Sequence, residues 1–140
     1  MRQSSSRSRI GRTAAGLSAV VLLTCLAAAR QKSGDGPAAR LSEAPPSARS
    51  LLNPFAGDQE AAAAGHKLFK QHCAECHGED GHGLGHAANL HSPGVQHASD
   101  GSLFWVLRNG RIRRGMPSWS QLPDQQLWQI VTYLRTLKGK

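Results

Sequence analysis

Apolar residues near the C-terminal end of the chain recur at helical spacing. Leu127, Ile130 or Val131, Leu134 and Leu137 stand three or four positions apart, the period of one buried helix face. Pro123-Asp124 suits the first turn of that helix, and Lys138 and Lys140 suit its end. A second helix is expected over Gln59 to His72, capped by Asp58 and favoured by the Ala61 to Ala64 run. Ala64, Leu68 and Phe69 share a face there, with Gly65 beside them. A glycine inside a helix costs about 1 kcal/mol relative to alanine, so Gly65 calls for a reason, of which close approach by another helix is one. A third, shorter helix runs through Leu103, Phe104, Val106 and Leu107, capped by Ser99 or Asp100 and stopped at Asn109-Gly110. The glycine-rich stretch Gly78 to Pro93 and the aperiodic stretch Arg111 to Trp119 read as loops. No pair of strands is evident, so the pattern predicts an all-α domain.

The N-terminal part reads differently. Arg2, Arg7, Arg9 and Arg12 form a basic patch ahead of the uncharged run Thr13 to Ala29, which ends in Ala27-Ala28-Ala29. Residues 1–29 are therefore expected to be a signal peptide or a membrane anchor. The run of 17 residues exceeds a signal core of about 7–15 and only reaches the lower limit of about 17–25 for a spanning helix. Cys25 adds a third option, a lipid-modified cysteine. Residues 30–54 are rich in Ala, Ser, Pro and Gly and read as a flexible linker, about 25–30 Å between its ends if a free coil. The folded domain is then residues 55–140.

Cys73-Ala74-Glu75-Cys76-His77 carries the chemistry. Two thiols at this spacing can each add to one vinyl group of a haem, and the adjacent histidine can bind the iron axially. A thioredoxin-like pair would need a βαβ pattern, and no β-branched strand precedes Cys73. A zinc site would need about four ligands, and His72 and His77 with the two thiols crowd too closely to close a tetrahedron well. Cysteine usage agrees with haem. Cys25 falls in the targeting segment, which leaves Cys73 and Cys76 and no disulfide framework. A covalently held haem would also enlarge the modest core open to a domain of this size.

A six-coordinate iron needs a second axial ligand. Met1 belongs to the targeting segment, so Met116, in Gly115-Met116-Pro117, is the one thioether open to the domain. The plain alternative is a methionine that fills core space. The histidines His66, His72, His82, His86, His91 and His97 are the other candidates; His72 adjoins Cys73, and the rest of the later ones lie in or beside loops.

These residues resemble the class I monohaem c-type cytochromes, small bacterial electron carriers. Gly65-His66-Lys67-Leu68-Phe69 followed by Cys73 to Gly78 is similar to that family's first helix and haem motif. Asn109-Gly110 through Gly115-Met116-Pro117-Ser118-Trp119 is similar to its methionine loop, and Leu127 to Leu134 to its last helix. The resemblance spans Asp58 to Leu137. It implies a small cytochrome c-like helical fold wrapped around one covalent haem c, bound through Cys73 and Cys76 and ligated by His77 and Met116. It also implies that Gly65 and Phe69 meet Tyr133 where the first and last helices cross. Export is expected as well, because such haems are attached outside the bacterial cytoplasm. One departure stands out: the family's proline-x-Leu segment is replaced by Ala88-Asn89-Leu90. A backbone carbonyl can orient the proximal histidine without that proline, and Pro93 is an alternative anchor.

The formal charge of +8 falls to +4 once the four arginines of the targeting segment are set aside. Nucleic acid is not an expected partner. Arg108, Arg111, Arg113 and Arg114 precede Met116 and can either steer an acidic redox partner or serve only solubility. The expected function is one-electron transfer between exported or membrane-bound donor and acceptor proteins, periplasmic or anchored on the outer side of the cytoplasmic membrane. The alternatives are a haem subunit of a larger oxidase or dehydrogenase, and a bis-His or open-site haem sensor or peroxidase. No acid–base pair, nucleophile triad or phosphate loop is evident, so no independent catalytic site is expected.

Overall fold

A computed structural model describes residues 41 to 139. The expected targeting segment, with Cys25, and the first part of the expected linker lie outside the described residues. The described helices are α1 (Pro46–Arg49), α2 (Gln59–His72), α3 (Ala74–His77), α4 (Pro93–Gln96), α5 (Asp100–Asn109) and α6 (Asp124–Arg135), with a 3-10 turn at Ile112–Arg114. Among the described residues no strand forms; one isolated bridge joins Arg111 and Met116. The fold is all-α.

Two helices make the scaffold. Asp58 caps α2 by accepting the Ala61 N–H at 3.0 Å. Ala61, Gly65 and Phe69 then form its buried stripe, while Ala64 and Leu68 stay half-buried. The buried face is thus one residue round from the expected one, because Gly65 is the point of contact rather than a neighbour of it. A Cβ at Gly65 would overlap the Gln129 carbonyl of α6. On the other side Leu127, Ile130, Val131 and Leu134 are buried, and Leu137 follows them just past the helix end. Phe69 meets Tyr133 with ring centroids 5.2 Å apart, and His66 stacks on the same ring at 4.8 Å. Gly65 itself meets Gln129, one turn before Tyr133. Full burial of side chains such as Phe69 and Leu127 stabilises by about 1.5–3 kcal/mol each, which makes this crossing the main apolar anchor.

Helix α5 begins at Ser99, whose Oγ accepts the Ser102 N–H at 3.2 Å, and stops at Gly110. Phe104 stacks on Trp128 of α6 at 4.2 Å. Arg135, in the last turn of α6, ties the loop before α5 to the scaffold. Its Nε donates to Asp100 at 2.6 Å and its Nη1 to the Gln96 carbonyl at 3.0 Å.

Residues 41–54 are not the free coil their composition predicts. Leu41, Ala44, Ala48 and Asn53 are buried, and α1 lies within the segment. Small residues allow this close packing without leaving a periodic apolar signal, so packing reaches back at least to Leu41.

Candidate functional site

The thiol-bearing motif is helical. Cys73 ends α2, and α3 carries Cys76 and His77 on one short turn, closed at Gly78. Cys73 is buried, whereas Cys76 is exposed. Burial, with a smaller contribution from Cys76, pushes the Cys73 thiol up to about 12. Among the described residues no group of three or more His, Cys, Asp or Glu side chains converges to hold a metal ion.

The loop after the motif folds back onto it. Gly83 N–H donates to the His77 carbonyl at 2.8 Å, Leu84 N–H to Cys76 at 2.9 Å, and Leu90 N–H to Gly81 at 2.8 Å. His82 and His91 stack at 4.2 Å, and His91 Nε2 donates to the Asp80 carbonyl at 2.8 Å. These two histidines pin the loop. Its fold brings the Ala88 carbonyl to 2.9 Å from His77 Nδ1. A carbonyl only accepts, so the proton sits on Nδ1 and the Nε2 lone pair is left for a ligand bond. The hydrogen bond expected from a proline-x-Leu segment is therefore made by Ala88 without the proline.

Met116 is placed by backbone geometry. Arg111 N–H donates to the Met116 carbonyl at 2.7 Å, and Met116 N–H donates back at 3.2 Å. Beyond it, Ser118 Oγ donates to the Arg108 carbonyl at 2.6 Å, and Trp119 N–H to that of Leu107 at 2.9 Å. These bonds satisfy carbonyls at the end of α5 that have no partner within the helix. Gly110 makes the hairpin possible. Its φ is +67° and a Cβ would lie 2.5 Å from backbone atoms of Pro117 and Ser118.

Between the two loops lies a cavity of about 940 Å³, near the upper end of the range of about 300–1,000 Å³ for ligand pockets. Cys73, Cys76, His77 and Met116 all line it. Of the aromatic and leucine residues nearby, Phe69, Leu90, Leu103 and Trp119 line it too. Trp105 and Trp128 do not; Trp128 packs on Phe104 instead. Among the other histidines only His72 and His86 border the cavity. Arg111 and Arg114 also line it, and Arg108 pairs with Asp124. An apolar chamber with two thiols, an imidazole freed at Nε2 and a thioether fits a haem c.

The family model for cytochrome c oxidase, cbb3-type, subunit III matches residues 60–134. The chain belongs to this family. It is a c-type cytochrome domain, and its matched segment runs from α2 through the motif and the methionine loop to α6. It is 32% identical over 95 residues to the cbb3-type cytochrome c oxidase subunit FixP of Azorhizobium caulinodans, covering 65% of this chain and 32% of that protein. It is 33% identical over 95 residues to subunit CcoP of Rhodobacter capsulatus, covering 59% of this chain and 31% of that one. The chain thus spans about a third of the length of these curated relatives. Among solved structures it resembles cytochrome cL from the methylotroph Methylophaga aminisulfidivorans MPT. That likeness has a TM-score of 0.54 and 26% identity, over 61% of this chain and 58% of the other. Among the described residues of this cytochrome domain, no helix is long and apolar enough to cross a membrane.

Proposed function

We propose that the domain is a monohaem electron carrier. Cys73 and Cys76 would hold one haem c by thioether bonds, and His77 and Met116 would ligate its iron. The observation that carries this reading is that all four side chains border one apolar cavity. Haem iron supplies a one-electron couple. The chain's residues do the rest. The Ala88 carbonyl fixes the tautomer and tilt of His77. The Arg111 and Met116 backbone pair holds the thioether loop in register. Phe69, Leu90, Leu103 and Trp119 keep water from the iron, which together with a thioether ligand favours the reduced, less charged state. With His77 and Met116 both holding the iron, no coordination site would be left for a substrate. Arg111 and Arg114 stand where guanidinium groups can meet haem carboxylates. Arg113, exposed beside them, adds to a positive field that can guide an acidic redox protein.

Met116→Ala is the direct test. Loss of the thioether–iron absorption band, with the haem still covalently attached by mass, is the expected outcome. An unchanged spectrum would reassign the sixth ligand, with His72 and His86 next in line because they border the cavity.

A second reading is favoured by the relatives FixP and CcoP, which are oxidase subunits. In it this domain passes electrons inside a terminal oxidase assembly, on the outer side of the cytoplasmic membrane, tethered through residues 1–29. Co-purification of the full chain with membrane-bound oxidase subunits would support it. Recovery as a free periplasmic protein of mature mass would favour the diffusible carrier.

A further inference from the structure

Residues 41–53 precede the family-matched segment, yet three contacts fix them to the domain. The Ala48 carbonyl lies where a Cβ on Gly101 of α5 would overlap it, and the Leu51 carbonyl would be 3.1 Å from that Cβ. Asn53 is buried; its Nδ2 donates to Thr132 Oγ1 at 3.0 Å and its Oδ1 accepts the Phe55 N–H at 3.0 Å. Leu41 is 7% exposed. It lines the large cavity shared by Cys73, Cys76, His77 and Met116. It also lines a neighbouring open cavity of about 510 Å³, bordered by Ser42, Arg49, His97 and Ser102. Among the described residues no other lines both.

Leu41 is therefore a partition. On one side is an apolar chamber and on the other a hollow open to solvent. The seat of this partition is built for contact. A glycine in the first turn of α5 costs helix stability, and here it admits the strap backbone to a distance no side chain would allow.

We propose that residues 41–53 form a strap that closes one wall of the haem cavity and limits entry of outside ligands, with Leu41 as its seal and Gly101 as its seat. This rests on the haem reading above. Leu41 is an apolar positioning residue, not an iron ligand.

The test uses the full haem-loaded chain carrying Met116→Ala, so that the iron accepts an external ligand and entry can be timed. Cyanide binding to the oxidised protein is followed by stopped-flow absorbance. Adding Leu41→Ala is expected to raise the association rate about tenfold, equivalent to about 1.4 kcal/mol of lost closing free energy. Adding Gly101→Val instead should raise it similarly and expose residues 42–52 to limited proteolysis. Unchanged cyanide rates with Leu41→Ala would overturn the proposal, as would protease release of the strap in Gly101→Val without faster binding. Should Gly101→Val fail to fold, Leu41→Ala, which only removes atoms, still decides. Failure of the haem reading is seen separately, as a parent chain whose mass includes no haem.

Discussion

The crossing of α2 with α6 and the loop that presents Met116 are held by different forces. At the crossing, Phe69, Leu127, Ile130 and Val131 are almost wholly buried, and the helices touch at Gly65. In the loop, Ile112 to Gly115 are exposed, and order comes from a few backbone hydrogen bonds and two glycines with positive φ, Gly110 and Gly115. A buried apolar side chain stabilises by about 1.5–3 kcal/mol, whereas an average hydrogen bond contributes about 0.5–1.5 kcal/mol net. Stability therefore resides in the crossing and ligand geometry in the loop. Damage to one need not spread to the other.

Gly65→Val is the strongest challenge to that division. Its side chain would overlap the Gln129 carbonyl, and the helices would have to part. A loss of about 3 kcal/mol or more is expected, read from urea unfolding by circular dichroism. Gly110→Ala should do the reverse. Its strain, on the order of 1–3 kcal/mol, falls on the Pro117 and Ser118 backbone, so the thioether–iron band should weaken while helical content stays. Equal loss of both signals in this variant would show that loop and scaffold are one unit.

A smaller change sharpens the boundary between strap and scaffold. Asn53→Ala removes the donor to Thr132 and should lower stability by about 1–2 kcal/mol, with the haem spectrum unchanged. The smallest effect is one of pH at the crossing. Burial first, then the charges of Asp80 and Glu79, raise the Tyr133 phenol above its usual range. The unfolded chain ionises at about pH 10, before the folded one. Stability from this group is therefore complete below that pH and declines as pH rises through the folded value. Urea midpoints should fall less between pH 9 and 11 in Tyr133→Phe than in the parent.

Much of the scaffold is legible in the sequence because its signals are local. Asp58, Ser99, Asn109-Gly110 and Pro123-Asp124 mark helix ends where they are found. The periodic run from Leu127 to Leu137 gives the buried face of α6 directly. The face of α2 is harder, since Ala61 and Gly65 carry little hydrophobic signal and their role depends on what lies opposite. The strap is harder still. Alanine, serine and proline look like a coil, and only Gly101 hints at it, by the same logic that makes Gly65 informative. The Arg135 contacts are not legible, because the carbonyls it meets belong to a loop whose path the sequence leaves open. At the site, Cys73, Cys76, His77 and Met116, the residues singled out from sequence, border one cavity. The Ala88 carbonyl matches the expected second contact, reached by backbone shape alone.

Gly65 and Gln129 sit near opposite ends of the domain, yet they touch. During synthesis the chain cannot lock α2 into place until α6 has emerged. Everything between, motif and methionine loop included, stays accessible until that late clasp shuts.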